Sequence, residues 1–216
     1  MAPETDRVGP SDPRPTGRRG RPRRFDDATE RRRLLDAAME LQVARNDSEV
    51  SIAEILDATG LSTRSFYRHF ESKDALHLAL LRREIASVVN RLSHLVEAAA
   101  DPGQAVAAWI DGFLETFVDP RLAARSVALT SQATRSESPL PSELDQIRDE
   151  ICAPLATALR RGHATGALTS PDPDLDARCV FGVLAMAATA TTPPDRAAVR
   201  AQVIRFTWPA LRLDSR

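Results

Sequence analysis

The sequence predicts an all-α protein, on three observations. Apolar residues recur at spacings of three and four along most of the chain after residue 25, as on the buried stripe of a helix. No stretch alternates convincingly between apolar and polar residues as a half-buried strand would. Proline-, glycine- and aspartate-bearing breaks fall at 101–103, 119–120, 139–141, 170–173 and 192–194, which leaves helical lengths between them.

Residues 1–25 hold five of the fifteen prolines and follow neither period, so they are expected to be a disordered arm. Six arginines and no acid lie between positions 14 and 24. Arg19-Gly20-Arg21-Pro22 within that run is short and extended enough to enter a narrow A·T minor groove through Arg19 and Arg21; a solubilising basic tail is the other reading.

Folding is expected to begin near Asp26 or Asp27, an acid at a helix N-terminus. Leu34, Leu35, Ala38, Met39 and Leu41 carry the first helix to about Arg45, and Asn46-Asp47 ends it. Ser51-Ile52-Ala53-Glu54 has the spacing of a capping box. The short second helix it opens stops at Thr59-Gly60, where glycine permits the left-handed conformation. Ser62 or Thr63 caps a third helix to Phe70, with Phe66 and Phe70 on its buried face. Ser72 caps a fourth from Lys73 to about Ala99. Further helices are expected at 104–118, 121–132, 142–164, 174–190 and 195–211.

Composition narrows the function. Net charge is −1, from 29 basic and 30 acidic residues, so nucleic-acid affinity would have to come from local charge. Lys73 is the only lysine, a bias that coding preference explains as well as guanidinium chemistry does. No apolar run of membrane-spanning length and no apolar leader stretch is present, which points to the cytoplasm and to no membrane partner. Cys152 and Cys179 lack CxxC spacing, and His69, His77, His94 and His163 are scattered, so neither a metal site nor any cofactor is expected. With no nucleophile-base set and no phosphate-cradling glycine loop, the chain does not read as an enzyme.

The two short helices around Gly60 have the form of a helix-turn-helix, whose second helix enters the major groove. That helix would offer Thr63, Arg64, Tyr67 and Arg68, with Ser62 and Ser65 beside them. Arg64 can fork onto guanine, the Thr63 methyl can touch thymine, and Tyr67 can pack on the sugar-phosphate wall. His69 adds a donor at the groove edge. Lys73 places an ammonium beside free amides at the start of the fourth helix, a setting for phosphate.

At these residues the sequence resembles the TetR/AcrR family of bacterial transcription regulators. The likeness runs from Arg33-Leu34-Leu35-Asp36-Ala37-Ala38 through Ser51-Ile52-Ala53-Glu54-Ile55 and Thr59-Gly60-Leu61-Ser62 to Ser65-Phe66-Tyr67-Arg68-His69-Phe70-Glu71-Ser72-Lys73-Asp74-Ala75-Leu76. It implies base or backbone contacts for Thr63, Arg64, Tyr67 and Arg68, and phosphate contacts for Ser65, His69 and Lys73. The chain departs from the family's habit at Asn46-Asp47, where glycine is usual, and at Leu41-Gln42, where phenylalanine is usual.

The resemblance also implies an organisation: a basic arm at 1–25, a helix-turn-helix DNA-binding domain at 26–72, joined by the long fourth helix to a ligand-binding and dimerisation domain at 73–216. The function it implies is a regulator, read as a repressor, that binds a palindromic double-stranded operator and is released by a small apolar effector of unspecified identity. An activator or a nucleoid-type binder on the same fold is the alternative. Trp109, Phe113 and Phe117 repeat every four residues and either line a pocket or fill the core; Cys152 and Met186 are further pocket candidates. A homodimer is expected, because one short recognition helix reads too few base pairs. The last two helices offer apolar faces for it, with Phe181, Leu184, Val203 and Phe206 as interface candidates.

Overall fold

The computed structural model describes residues 26–45, 50–135, 140–189 and 195–211, and every regular element among them is an α-helix. In chain order these are α1 (Asp27–Arg45), α2 (Ile52–Thr59), α3 (Thr63–His69), α4 (Lys73–Glu97), α5 (Pro102–Val118), α6 (Pro120–Arg135), α7 (Leu140–Ala164), α8 (Pro173–Thr189) and α9 (Arg196–Leu211). The arm with Arg19 and Arg21, and the Asn46-Asp47 stop, lie outside the described residues. The helix bounds match the sequence reading to within about three residues, and the breaks show why.

Each Asp-Pro break is a helix start. Asp101 accepts from the Gln104 amide at 2.8 Å just before Pro102. Asp119 does the same for the amides of Arg121 and Leu122 before Pro120, at 3.0 and 2.9 Å. A carboxylate satisfies amides that have no intrahelical partner, and proline gives up an amide that would have been an orphan anyway.

Two cores organise the molecule. The first unites α1, α2 and α3 through Leu34, Leu35, Met39, Ile55, Phe66 and Phe70. It does not close on itself: Leu76, Leu80 and Leu81 of α4 and Leu129 of α6 complete it. The second fills the body with Leu92 and Val96 of α4, Trp109, Ile110 and Leu114 of α5, Leu155 and Leu159 of α7, and residues of α8 and α9. So α4 is common to both cores, its first half in one and its second half in the other. The α4–α5 contact is close at Gly112, where a Cβ would lie 2.4 Å from a Leu95 methyl and 3.0 Å from a Leu92 methyl, so those side chains would have to shift to admit one. Arg91 fastens the same contact, donating to the Gly112 carbonyl at 2.8 Å.

His77 is an exception in the first core. It is buried on α4; the Leu129 backbone lies within reach of its ring, but neither ring nitrogen makes a well-formed hydrogen bond among the described residues. Burial holds its pKa below the ordinary 6.5, Lys73 pushes the same way, and Asp74 and the Leu129 backbone pull back. The unfolded chain therefore binds the proton that the folded chain refuses. This site's stability is whole above pH 6.5 and is lost as pH falls through the depressed folded value. Replacing His77 with Leu should raise stability by about 1–3 kcal/mol, because an unsatisfied buried polar ring is removed. It should also flatten the loss of stability on acidification below pH 6.5, measured by urea denaturation across pH. An unchanged pH profile would mean that another group governs it.

Candidate nucleic-acid interface

The α2–α3 unit is set by local bonds. Ser51 accepts from the Glu54 amide at 3.3 Å, while Glu54 takes the Ser51 amide at 2.8 Å, closing the expected capping box. Arg45 of α1 reaches the other oxygen of Glu54 at 2.5 Å. Gly60 ends α2 with φ of 65°, a left-handed conformation in which its amide bonds the Leu56 carbonyl at 2.8 Å. Ser62 caps α3 by accepting from the Ser65 amide at 3.2 Å.

The seven residues of α3 sort into two faces. Phe66 and Phe70 are buried with ring centroids 5.8 Å apart, and Arg31 of α1 lies 5.3 Å over the Phe70 ring. Thr63, Arg64 and Tyr67 are exposed, and Tyr67 sets its ring edge-on to Phe66 at 5.3 Å with 54% of its surface free. The outward set is thus one methyl, one guanidinium and one phenol, the groups needed at a base edge and a sugar-phosphate wall.

Ser65, Arg68 and His69 stand differently from the expectation. All three turn to Glu30 of α1, which is buried. Ser65 Oγ and Arg68 Nη2 donate to the same Glu30 oxygen, His69 Nε2 lies 3.4 Å from it, and Arg68 Nε is 3.4 Å from Asp27. The Ser65 hydroxyl and the His69 ring, both largely covered, are therefore committed inside the protein. Arg68 is only part exposed, and its charge is already met. These residues position α3 on α1. Hydrogen bonding from Ser65 is the first cause that holds the Glu30 carboxyl below its ordinary pKa, followed by His69 and the charge of Arg68, against burial. Asp27, Glu30 and His69 bring possible metal-ligand atoms within 4.8 Å of one another, but the cation among them is the Arg68 guanidinium. Glu30 was missed in the sequence because its partners lie 35 to 39 positions away; the one available signal was a lone acid beside three arginines. Lys73, at the first turn of α4, is half-buried.

Of the residues considered for a pocket, Phe113 and Phe117 line a cavity of about 140 Å³ between α4, α5, α6 and α7. Trp109 does not. Its ring is fully buried, stacked on Phe113 at 5.4 Å, and its Nε1 donates to the Ile151 carbonyl at 3.2 Å. Cys152 is core too, with burial pushing its thiol up to about 11, so it is a packed neutral thiol. Met186 points outward instead, 74% exposed.

The proposed interface residues divide likewise. Leu184 and Val203 have no exposed surface and belong to the protomer's own core, so neither is free to meet a partner. Phe181 is partly buried with its ring 5.3 Å from Phe113. Phe206 is 66% exposed and shares with Met186, Val183 and Gln202 a surface groove between α8 and α9.

Comparison with known proteins agrees with this architecture. Residues 34–80 match the sequence profile of the bacterial regulatory proteins, tetR family. The HTH-type transcriptional activator FasR of Mycolicibacterium smegmatis is 32% identical over 102 residues, a match spanning about half of each protein, 47% of either chain. An uncharacterized HTH-type transcriptional regulator of Mycobacterium tuberculosis is 27% identical over 179 residues, covering 82% of this chain and 83% of its own. The HTH-type transcriptional repressor KstR of the same organism is 27% identical over 139 residues, covering 62% and 60%. Among solved structures, a TetR transcription regulator from Haloarcula marismortui superposes with a TM-score of 0.71 at 19% identity, over 86% of this chain and all of the other. A transcriptional regulator from Saccharomonospora viridis in complex with choline gives 0.68 at 21%, over 86% and 99%.

Glu30→Gln separates positioning from charge. The variant is one unit more positive, so attraction to phosphate alone would tighten binding to every duplex. If Glu30 instead seats α3, the variant should lose about 1–3 kcal/mol of stability and should bind a duplex selected from a random pool about ten-fold more weakly. Fluorescence anisotropy beside thermal denaturation checks both, and uniformly tighter binding would reduce Glu30 to a trimming charge.

Proposed function

We propose that the chain, whose residues 34–80 match the profile of the tetR family of bacterial regulatory proteins, is a regulator of that kind, which binds a palindromic DNA operator as a homodimer and leaves it when a small, largely apolar effector occupies the body. The observation that carries this reading is the partition of α3: its inner face is fixed to α1 by Phe66, Phe70 and Glu30, while Thr63, Arg64 and Tyr67 are exposed on the other face, Tyr67 touching the core only through the edge of its ring on Phe66. In this reading residues 26–72 are the DNA-binding domain and residues 73–216 the ligand-binding and dimerisation domain. Arg64 reads guanine, Thr63 meets a thymine methyl, and Tyr67 and Lys73 hold the sugar-phosphate backbone.

A dimer doubles the base pairs read and sets the two heads about 34–36 Å apart. The α8–α9 groove supports that role, since Met186 and Phe206 are among the most exposed large apolar side chains described. Leu175, Cys179, Gly182 and Met186 continue one exposed stripe along α8 at helical spacing. The cavity beside Phe113 and Phe117 supports the effector's place. No described helix is long and apolar enough to cross a membrane. Repression by occupancy follows if the operator overlaps a promoter. FasR, named an activator, favours the second reading, in which the operator lies upstream of it.

Selection from a random duplex pool should recover a palindrome. Arg64→Ala should then lose about 1–3 kcal/mol of discrimination at one base pair per half-site. Failure to recover any preferred sequence would overturn the reading. For the dimer, Phe206→Asp and Met186→Asp should each give a helical monomer by sedimentation and circular dichroism, with weakened operator binding. Dimers of native DNA affinity would place the interface elsewhere.

A further inference from the structure

We propose that the cavity between α4, α5, α6 and α7 takes a ring-sized organic carboxylate, whose anionic end displaces Glu84 from Arg125 and so opens a chain of ion pairs tying the body to the reading head. The proposal rests on the regulator reading and names the effector class and the coupling.

Size comes first. A volume of about 140 Å³ suits a single aromatic ring with a small substituent, since an apolar cavity of about 150 Å³ accepts benzene. The walls at Val88, Phe113, Phe117 and Leu122 are apolar, and Glu84 and Arg125 also face this space. Arg125 of α6 grips Glu84 of α4 with both ends of its fork, Nε to Oε2 at 2.8 Å and Nη2 to Oε1 at 2.5 Å. A carboxylate on the ligand offers Arg125 the same planar, two-oxygen partner.

The sign of the ligand's charge follows from what is left behind. Glu84 has a second cation at hand: Arg83 Nε stands 3.4 Å from its Oε1. Released by an incoming anion, Glu84 stays paired. A cationic ligand would take Glu84 and leave Arg125, in a half-buried position, with only the more distant charge of Asp36 in place of its two-oxygen partner, which is costly. An anion is the substitution that keeps the charges inside the wall balanced.

The consequence travels outward. Arg83 is also the arginine that holds Asp36 of α1, Nη1 to Oδ1 at 2.7 Å. If Glu84 draws Arg83 toward itself, Asp36 loses its partner, and being exposed it is rehydrated at little cost. Asp36 lies on the same helix as Glu30, which seats α3. One turn beyond Arg125, Leu129 of α6 is part of the head's own core, so a shift of α6 reaches the head by packing as well. The two arrangements of Glu84, on Arg125 or on Arg83, are the two states the ligand would choose between.

The test uses the full chain and three probes sharing one ring: benzoate, benzyl alcohol and benzylamine. By calorimetry, benzoate should bind the wild type at least about ten-fold more tightly than either other probe. Glu84→Gln, which removes the competing carboxylate, should tighten benzoate further, and Arg125→Gln should abolish the preference; circular dichroism confirms that each variant is folded. Equal binding of the three probes, or an unchanged or weaker benzoate affinity in folded Glu84→Gln, overturns the ligand class. Asp36→Asn lies outside the cavity and should leave benzoate affinity within about two-fold, yet the drop in operator affinity at saturating benzoate should shrink from about ten-fold to under three-fold. An unchanged drop overturns the ion-pair chain. Benzoate preference in a protein that selects no DNA sequence would overturn the regulator reading while the ligand class stands.

Discussion

A helix of seven residues cannot hold itself together in water, because nucleation costs more than so few hydrogen bonds return. The outward face of α3 is therefore only as well placed as its inward face is anchored. Two unlike forces provide the anchor. Burial of Phe66 and Phe70 contributes on the order of 1.5–3 kcal/mol for each ring but is indifferent to small rotations about the helix axis. The Glu30 carboxylate is directional: it takes hydrogens from Ser65 and Arg68 at one oxygen, and any rotation of α3 would leave a buried charge partly unmet. Apolar packing holds the helix against the core, and the carboxylate fixes its angle. The three side chains left outside inherit both constraints.

The same division of labour recurs at larger scale. α4 is fastened to α5 where Gly112 removes a Cβ and Arg91 bridges to its carbonyl. It is fastened to α1 and α6 through charges at Arg83 and Glu84. The apolar contact is close and hard to slide. The ionic contacts share partners, Arg83 meeting both Asp36 and Glu84. Rigidity thus lies toward the body's centre and adaptability at the junction with the head.

Sequence alone revealed what depends on neighbours in the chain. The capping box at Ser51 and Glu54 and the glycine turn at 60 are local bonds written within four residues, and the bounds of α2 followed from them, whereas the aspartate-proline pairs read as loops in the sequence are the N-terminal caps of α5 and α6. The inner and outer faces of α3 were legible for the same reason: Phe66 and Phe70 are four apart, with Thr63, Arg64 and Tyr67 between or before them. What failed was any assignment that needed a distant partner. Glu30 looks like a helix-start acid until α3 folds onto it. In the body, apolar residues occupy more than one side of a helix, so periodicity could not separate Trp109 in the core from Phe117 at the cavity. Leu184 and Met186, two positions apart on α8, fall on opposite faces, but periodicity could not say which of the two apolar faces turns inward. Those distinctions depend on how the helices are stacked, which no single helix encodes.

The seam between head and body also bears on how this protein can be rebuilt. The head's apolar floor is made of Leu76, Leu80 and Leu81 from α4 and Leu129 from α6, all beyond its three helices. A chimera cut at the α3–α4 junction would carry away the walls of that core and leave its floor with the donor. Moving the outward face of α3 onto another scaffold with its packing intact means moving residues 73–81 of α4 as well, and recreating on the recipient's own sixth helix a leucine-sized projection in place of Leu129. Exchanging only Thr63, Arg64 and Tyr67 avoids the seam altogether, because none of the three contributes to the packing that crosses it.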